Sequence, residues 1–157
     1  STGARHPGAT RMEFKSRTGY EQTERGCRIS SVTVTVKAKV ILPRWNPPAK
    51  ADGDVRFIWA TLSSDIKRHE ESHVVIAKNH GRLLEKELLG IGRQKNCDIV
   101  AEKAKAVTQR VLAQHDREQR YFDMVETKNF ESRLLRLLKY RLQQAAASQK
   151  KGEKRTD

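Results

Sequence analysis

Residues 62–84 read LSSDIKRHEESHVVIAKNHGRLL, and the fold follows from how this stretch is read. On an α-helix, at about 100° per residue, Leu62, Ile66, His69, His73, Ile76, Ala77, His80, Leu83 and Leu84 fall in one arc of about 120°. A stripe that wide has to be buried, and it carries three histidines with it. Ser63 or Ser64 is a plausible N-cap, and Asp65 then sits in the first turn, where a negative charge suits the helix dipole. Gly90 and Gly92 stop the helix after Leu89.

Upstream, residues 32–40 alternate strictly. Val32, Val34, Val36, Ala38 and Val40 face one way and Thr33, Thr35, Lys37 and Lys39 the other, the period of a half-buried strand. A weaker alternation through Met12 and Phe14 marks residues 10–17 as an edge strand. Pro43, Pro47-Pro48 and Asp52-Gly53 mark a loop, after which Val55, Phe57 and Trp59 form either a strand or the entry to the helix. Downstream of Cys97 there is neither Gly nor Pro until Gly152, so helix dominates. One straight helix of that length outgrows a domain of this size, so a break is expected near residues 127–130, before a last amphipathic piece through Leu134, Leu138 and Leu142. The expected architecture is α+β: a small N-terminal antiparallel sheet, a helical hairpin and a C-terminal helix. Residues 10–148 form one domain, between a disordered lead-in over 1–9 and a basic disordered tail over 149–157.

The segment His69-Glu70-Glu71-Ser72-His73 fits H-E-x-x-H. Positions i and i+4 of a helix lie one above the other, about 6 Å apart, so two imidazoles can grip one Zn²⁺. The residue at i+1 reaches a water on that ion without ligating it, which makes Glu70 the candidate general base. With 5 histidines in 157 residues, the pattern is expected by chance only about 0.01 times, and here both imidazoles also lie on the buried stripe. His80 is seven residues, about 10 Å, beyond His73 and reads as a core or capping histidine.

A third ligand must come from the second helix. His69 and His73 precede the helix end by 16–20 residues, and the same count into a helix starting near Cys97 arrives at residues 113–120. His115 and Glu118 fall there on the apolar stripe Val100, Ala104, Val107, Val111, Phe122, Val125. Asp116 and Arg120 point away, and Asp123 sits at the edge. His115 is the expected third ligand, with Asp123 as the alternative and Glu118 and Glu126 behind it. Tyr121 reads as a buried aromatic anchoring the hairpin, or else as an oxyanion stabiliser.

Composition bounds the function. Charged residues make up 32% of the chain, apolar ones 36% and aromatic ones 6%, with no run approaching a transmembrane span. The net charge of +13 attracts polyanions, yet only the tail Lys150-Lys151-Gly152-Glu153-Lys154-Arg155 concentrates it. No nucleic-acid-binding module is recognisable. The start Ser1-Thr2-Gly3 reads as a trimmed end, compatible with removal of an export signal. Cys27 and Cys97 belong to no CxxC pair, so they read as one disulfide in an exported protein or two buried thiols in a cytosolic one. Closing a loop this long stabilises by about 4 kcal/mol in the chain-entropy model.

The order Cys27, Val32-Thr33-Val34-Thr35-Val36, Leu42-Pro43-Arg44-Trp45, Trp59, the H-E-x-x-H, Cys97 and Phe122-Asp123 resembles the DUF922 family, described as predicted secreted zinc-dependent proteases. The resemblance covers roughly residues 10–130. It implies export to the periplasm or beyond, a Cys27–Cys97 disulfide and a zincin-like site, and it draws attention to Asp123. The family pattern continues with Thr-x-His-Gly, where this chain has Thr127-Lys128-Asn129-Phe130. The function expected is that of a zinc-dependent peptidase or amidase of the bacterial cell envelope, in which Glu70 takes a proton from a metal-activated water attacking a peptide or protein amide. The alternative is a non-catalytic, zinc-stabilised basic module that binds anionic envelope polymer or nucleic acid.

Overall fold

The computed structural model describes residues 7–153; the lead-in up to residue 6 and the tail from residue 154 lie outside the described residues. Two antiparallel strands, β1 (Ala9–Thr23) and β2 (Gly26–Ile41), are followed by two long helices, α1 (Gly53–Leu89) and α2 (Cys97–Glu153). The arrangement is α+β. Ala9 is already in a strand and residues 149–153 are helical, so both inner margins are more ordered than their composition suggests.

In β2 the alternation works as expected as far as residue 37: Val32, Val34 and Val36 turn towards the helices while Thr33, Thr35 and Lys37 are exposed. Ala38 and Val40, expected on the inner face, are exposed as well. Cys27 and Ile29, however, are buried at odd positions. A bulge reconciles the two sets. Gly19 pairs with Ser31 but Tyr20 with Ile29, which leaves Ser30 as an extra residue. One inserted residue exchanges the faces of a strand. Cys27 and Ile29 therefore join the same core as the even-numbered valines. β1 is longer than residues 10–17 and turns Thr10, Met12 and Phe14 inward.

A two-stranded ribbon is marginal in water by itself. This one lies against α1, where Glu85 Oε1 accepts the edge N–H of Val34 at 2.7 Å. Cys27 and Ile29 pack with Leu84, Leu88, Val100 and Val111 to form the core.

The N-terminus of α1 lies eleven or twelve residues before the expected cap at Ser63 or Ser64. Its N-cap is Asp52, whose side chain accepts from Asp54 N. Ser63 instead bonds back to the Ala60 carbonyl inside the helix, a local bond that serine can make in either role. Val55, Phe57 and Trp59 are thus helical, and Trp59 packs on Trp45 of the preceding loop at 5.5 Å between ring centroids.

α2 runs unbroken through 57 residues, about 85 Å at 1.5 Å per residue. The expected break at 127–130 and the separate C-terminal helix are corrected by this finding. Arg133 holds the segment together: its Nη1 reaches Glu126 Oε2 at 3.2 Å, one side of the proposed break to the other, while its Nε and Nη2 grip Asp65 of α1 at 3.0–3.3 Å. Further along, Arg141 donates to Thr61 at 3.1 Å. Contacts with α1 replace the compactness that a bend would have supplied.

Between the helices, the segment 90–96 folds back onto the sheet. Cys27 N donates to Gln94 O at 2.9 Å, Gln94 N donates to Cys27 O at 2.8 Å, and Cys27 is disulfide-bonded to Cys97. Gly26, at φ +113°, begins β2 directly beneath, and a Cβ there would lie 2.1 Å from the Gln94 carbonyl oxygen. Both the backbone angle and the space exclude a side chain. Gly26→Ala is therefore expected to cost about 2 kcal/mol, read as a lower urea midpoint with the disulfide intact. An unchanged midpoint would show that the crossover is not held at this point.

Asp65 is almost fully buried. Burial alone would raise its carboxyl pKa, but hydrogen bonds from Arg133 and Arg68 outweigh it and hold the group below its ordinary value. A depressed folded-state pKa contributes stability that is complete above the unfolded value, about 3.9, and is lost as pH falls through the folded value. Asp65→Asn is expected to cost about 3 kcal/mol near neutrality, because it leaves a mostly buried guanidinium short of charge. The gap to wild type should close only in acid, below about pH 4. Denaturant titrations across pH measure this, and a gap that widens in acid would contradict it.

Candidate metal centre

The i, i+4 spacing on α1 brings the rings of His69 and His73 to 4.8 Å between centroids, both buried. Their Nε2 atoms are 3.1 Å apart. Asp123 of α2 places Oδ1 3.0 Å from His69 Nε2 and 2.9 Å from His73 Nε2. All three offer ligand atoms within 4.8 Å of one another. Phe122 walls the group, its ring 4.9 Å from His69 and 5.1 Å from His73.

The donor set fits a zinc ion. A tetrahedral site with bonds of about 2.0–2.1 Å has ligand-to-ligand edges of roughly 3.3 Å. The three separations of 2.9–3.1 Å lie a few tenths inside that value. Two imidazole nitrogens and one carboxylate oxygen are also the ligand types zinc takes at catalytic sites.

Each imidazole has a polar neighbour behind it. His69 Nδ1 lies 3.6 Å from Glu126 Oε2. Burial pushes the Glu126 carboxyl up, but Arg68 and Arg133 outweigh it and hold it below its ordinary value, so it stays ionised. His73 Nδ1 meets Gln119 Oε1.

Glu70 is only 2% exposed and does not join the histidine–aspartate group. The Thr10 hydroxyl donates to Glu70 Oε2 at 2.6 Å. Oε1 faces Gly8, where a Cβ would come within 2.7 Å of it. The chain entering β1 thus passes close over the carboxylate at a position without a side chain, and a Cβ there would require Glu70 or Ile66 to shift. Gly8, Thr10, Met12, Glu70 and Gln119 line a cleft of about 300 Å³ with His69, His73 and Asp123. On the other side of Gly8 and Glu70, Leu62, Ile66 and Phe130 line a second cavity of about 210 Å³.

The expectation that His115 completes the site is corrected. His115 is buried two helical turns before Asp123, edge-on to Phe14 at 4.9 Å and near His80 at 5.4 Å, and its Nε2 faces Gln119 Nε2 at 2.9 Å. The count that favoured it assumed a tight hairpin. Because residues 90–96 detour to the sheet, the residues facing the motif are 119–126 instead of 113–120, a shift of six positions or about 9 Å. Glu118 pairs with His80 at 3.3 Å, and Glu126 stands behind His69. His80 Nδ1 also donates to Ile76 O at 2.9 Å, as suits a satisfied core histidine. Tyr121 is 63% exposed on another face, so it is neither a buried anchor nor near the cleft; Phe122 is the aromatic that packs on the site.

Sequence reasoning did not single out Gly8, Thr10 or Gln119. The first two are brought in by strand packing. Gln119 lies one turn from Asp123 on the face that carries His115 and Glu126, so a corrected helix register was the signal that exposes it.

Among the described residues no helix is long and apolar enough to cross a membrane. No curated protein and no solved structure matches the chain. A family model does, over residues 1–130, which takes in both strands, all of α1 and α2 as far as Phe130. The chain belongs to DUF922, a family described as bacterial protein of unknown function.

Proposed function

We propose that the chain is a zinc-dependent peptidase or amidase of the bacterial cell envelope, with His69, His73 and Asp123 as the protein ligands and Glu70 as the proton acceptor. The observation that carries the reading is the convergence of His69 Nε2, His73 Nε2 and Asp123 Oδ1 at 2.9–3.1 Å. Atoms this close share protons or a cation, and two imidazole nitrogens with one carboxylate oxygen form a set that a zinc ion fits. Among the described residues three such groups come together, and a three-ligand set is the pattern of sites that keep a position for water or substrate.

Zn²⁺ held there lowers the pKa of a coordinated water towards about 7 and polarises an amide carbonyl. The remaining chemistry falls to the chain. Glu70, lining the same cleft, takes a proton from the attacking water and returns one to the departing amine nitrogen. The Thr10 hydroxyl steadies Oε2 and leaves Oε1 towards the space at Gly8. The neighbouring apolar cavity offers room for a substrate side chain beside the carboxylate. The Cys27–Cys97 disulfide suits an oxidising compartment, so the periplasm or the exterior is the proposed location. The charge of +13 favours encounter with anionic envelope polymers.

Metal analysis is expected to find about one zinc per chain. By chelator competition, His69→Ala and Asp123→Ala should each weaken binding by more than tenfold, and His115→Ala by much less. Equal zinc affinity in wild type and both ligand variants would end the proposal.

Glu70→Gln should keep zinc and fold but lower amide hydrolysis at least 10²-fold, the usual scale for losing a positioned base. Mass spectrometry of a mixed peptide pool provides the readout. Undiminished cleavage by Glu70→Gln would remove Glu70 from the chemistry.

A further inference from the structure

We propose that Gln119 is a positioning residue that fixes the proton of His73 on Nδ1 and keeps Nε2 free to face Asp123. The inference rests on the metal reading for its purpose, but the proton assignment stands on hydrogen bonds alone. Gln119 is buried, and its side chain meets three nitrogen or oxygen partners of the site, with Met12 Sδ at 3.5 Å besides. Oε1 meets His73 Nδ1; Nε2 lies 3.0 Å from the His73 carbonyl oxygen and 2.9 Å from His115 Nε2.

One of these partners decides the rest. A backbone carbonyl oxygen can only accept, so the atom 3.0 Å from His73 O must be the amide nitrogen. A reversed amide would set oxygen against oxygen there. Oε1 is thereby committed to His73 Nδ1, and since Oε1 can only accept, Nδ1 carries the proton. In a neutral imidazole Nε2 then holds a lone pair, and Nε2 is the atom 2.9 Å from Asp123 Oδ1. The second amide hydrogen points at His115 Nε2, which must accept it. His115 accordingly carries its own proton on Nδ1 and donates it to Asp116 Oδ1 at 3.1 Å.

Each group thus donates to the next in one direction, His73 to Gln119 to His115 to Asp116, from the cleft to an exposed carboxylate. That order also explains what a buried histidine is doing at position 115. Its Nε2 lone pair is already taken by Gln119, so it holds the amide and is not left over to ligate. His69 has a different neighbour, its Nδ1 lying 3.6 Å from Glu126 Oε2. The two histidines therefore have unlike neighbours, a carboxylate for one and a neutral amide for the other, and a hydrogen-bonded group behind a ligand sets its orientation and basicity.

The test is imidazole ¹⁵N NMR of the metal-free full chain under conditions where the rings are neutral, with Zn²⁺ affinity by chelator competition measured alongside. In wild type His73 should be protonated at Nδ1; a proton on Nε2 overturns the proposal and needs no variant. In Gln119→Leu the proton should move to Nε2, towards Asp123, and zinc affinity should fall 10–100-fold. In His115→Phe the carbonyl contact still orients the amide, so the Nδ1 proton should stay. Weaker zinc binding in Gln119→Leu with the His73 proton unmoved would assign Gln119 a packing role and overturn the proposal. If wild type binds no zinc while the proton assignments hold, the metal reading fails and the positioning role survives. If zinc binds and Gln119→Leu changes neither readout, the reverse is true.

Discussion

The place where the chain crosses from α1 to α2 sets the axial position of one helix against the other, and the site depends on it. Residues 90–96 return to the sheet, where two backbone hydrogen bonds tie Gln94 to Cys27 and a disulfide ties Cys27 to Cys97. α2 starts from that anchor. Its contacts then follow in order along α1: Arg110 with Glu87, Glu118 with His80, Gln119 with His73, Asp123 with His69, Arg133 with Asp65 and Arg141 with Thr61. Moving the anchor by two turns would put His115 where Asp123 stands. The close approach at Gly26 is thus linked to the identity of a candidate ligand, Asp123, 26 residues beyond the start of α2 at Cys97.

Burying so many polar groups between two helices is tolerable only if each finds a partner. Asp65 shares Arg68 and Arg133 with Glu126, which brings two anions and two cations into one closed set. Arrangements of this kind contribute more to choosing one alignment than to net stability, since desolvation offsets much of the attraction. Among the described residues every buried side-chain nitrogen or oxygen has a hydrogen-bond partner. A shifted alignment would strand several of them. The polar seam and the disulfide anchor therefore specify the same register from opposite ends.

The sheet serves the site more than it serves the core. Its far end, at Cys27 and Ile29, packs with leucines and valines. Its near end brings Gly8, Thr10 and Met12 over the motif and forms one wall of the cleft. The bulge opposite Gly19 lets one ribbon do both, because the two ends need opposite side-chain phases to face the same helices. Without Thr10 and Gly8 the Glu70 carboxylate would have neither its donor nor its space.

Much of this was legible from residues alone where the cause is local. The period of 3.6 from Leu62 to Leu84 and the period of 2 from Val32 to Val40 are imposed by helix and strand geometry, so α+β and the shared face of His69 and His73 follow from spacing. The family resemblance likewise pointed to Asp123 and to the Cys27–Cys97 pair. What spacing cannot carry is the offset between two helices, because that offset is set by a backbone contact between Cys27 and Gln94, residues 67 apart. The choice of Asp123 over His115 and the role of Gln119 hang on this offset, and the continuity of α2 past residue 130 on the long-range contacts of Arg133 with Asp65. The bulge at Ser30 and the passage of Gly8 over Glu70 were equally out of reach of sequence. Each depends on which surfaces meet once the ribbon lies on the helices, and only the tertiary structure decides that, because the contacts join segments whose local patterns carry no record of one another.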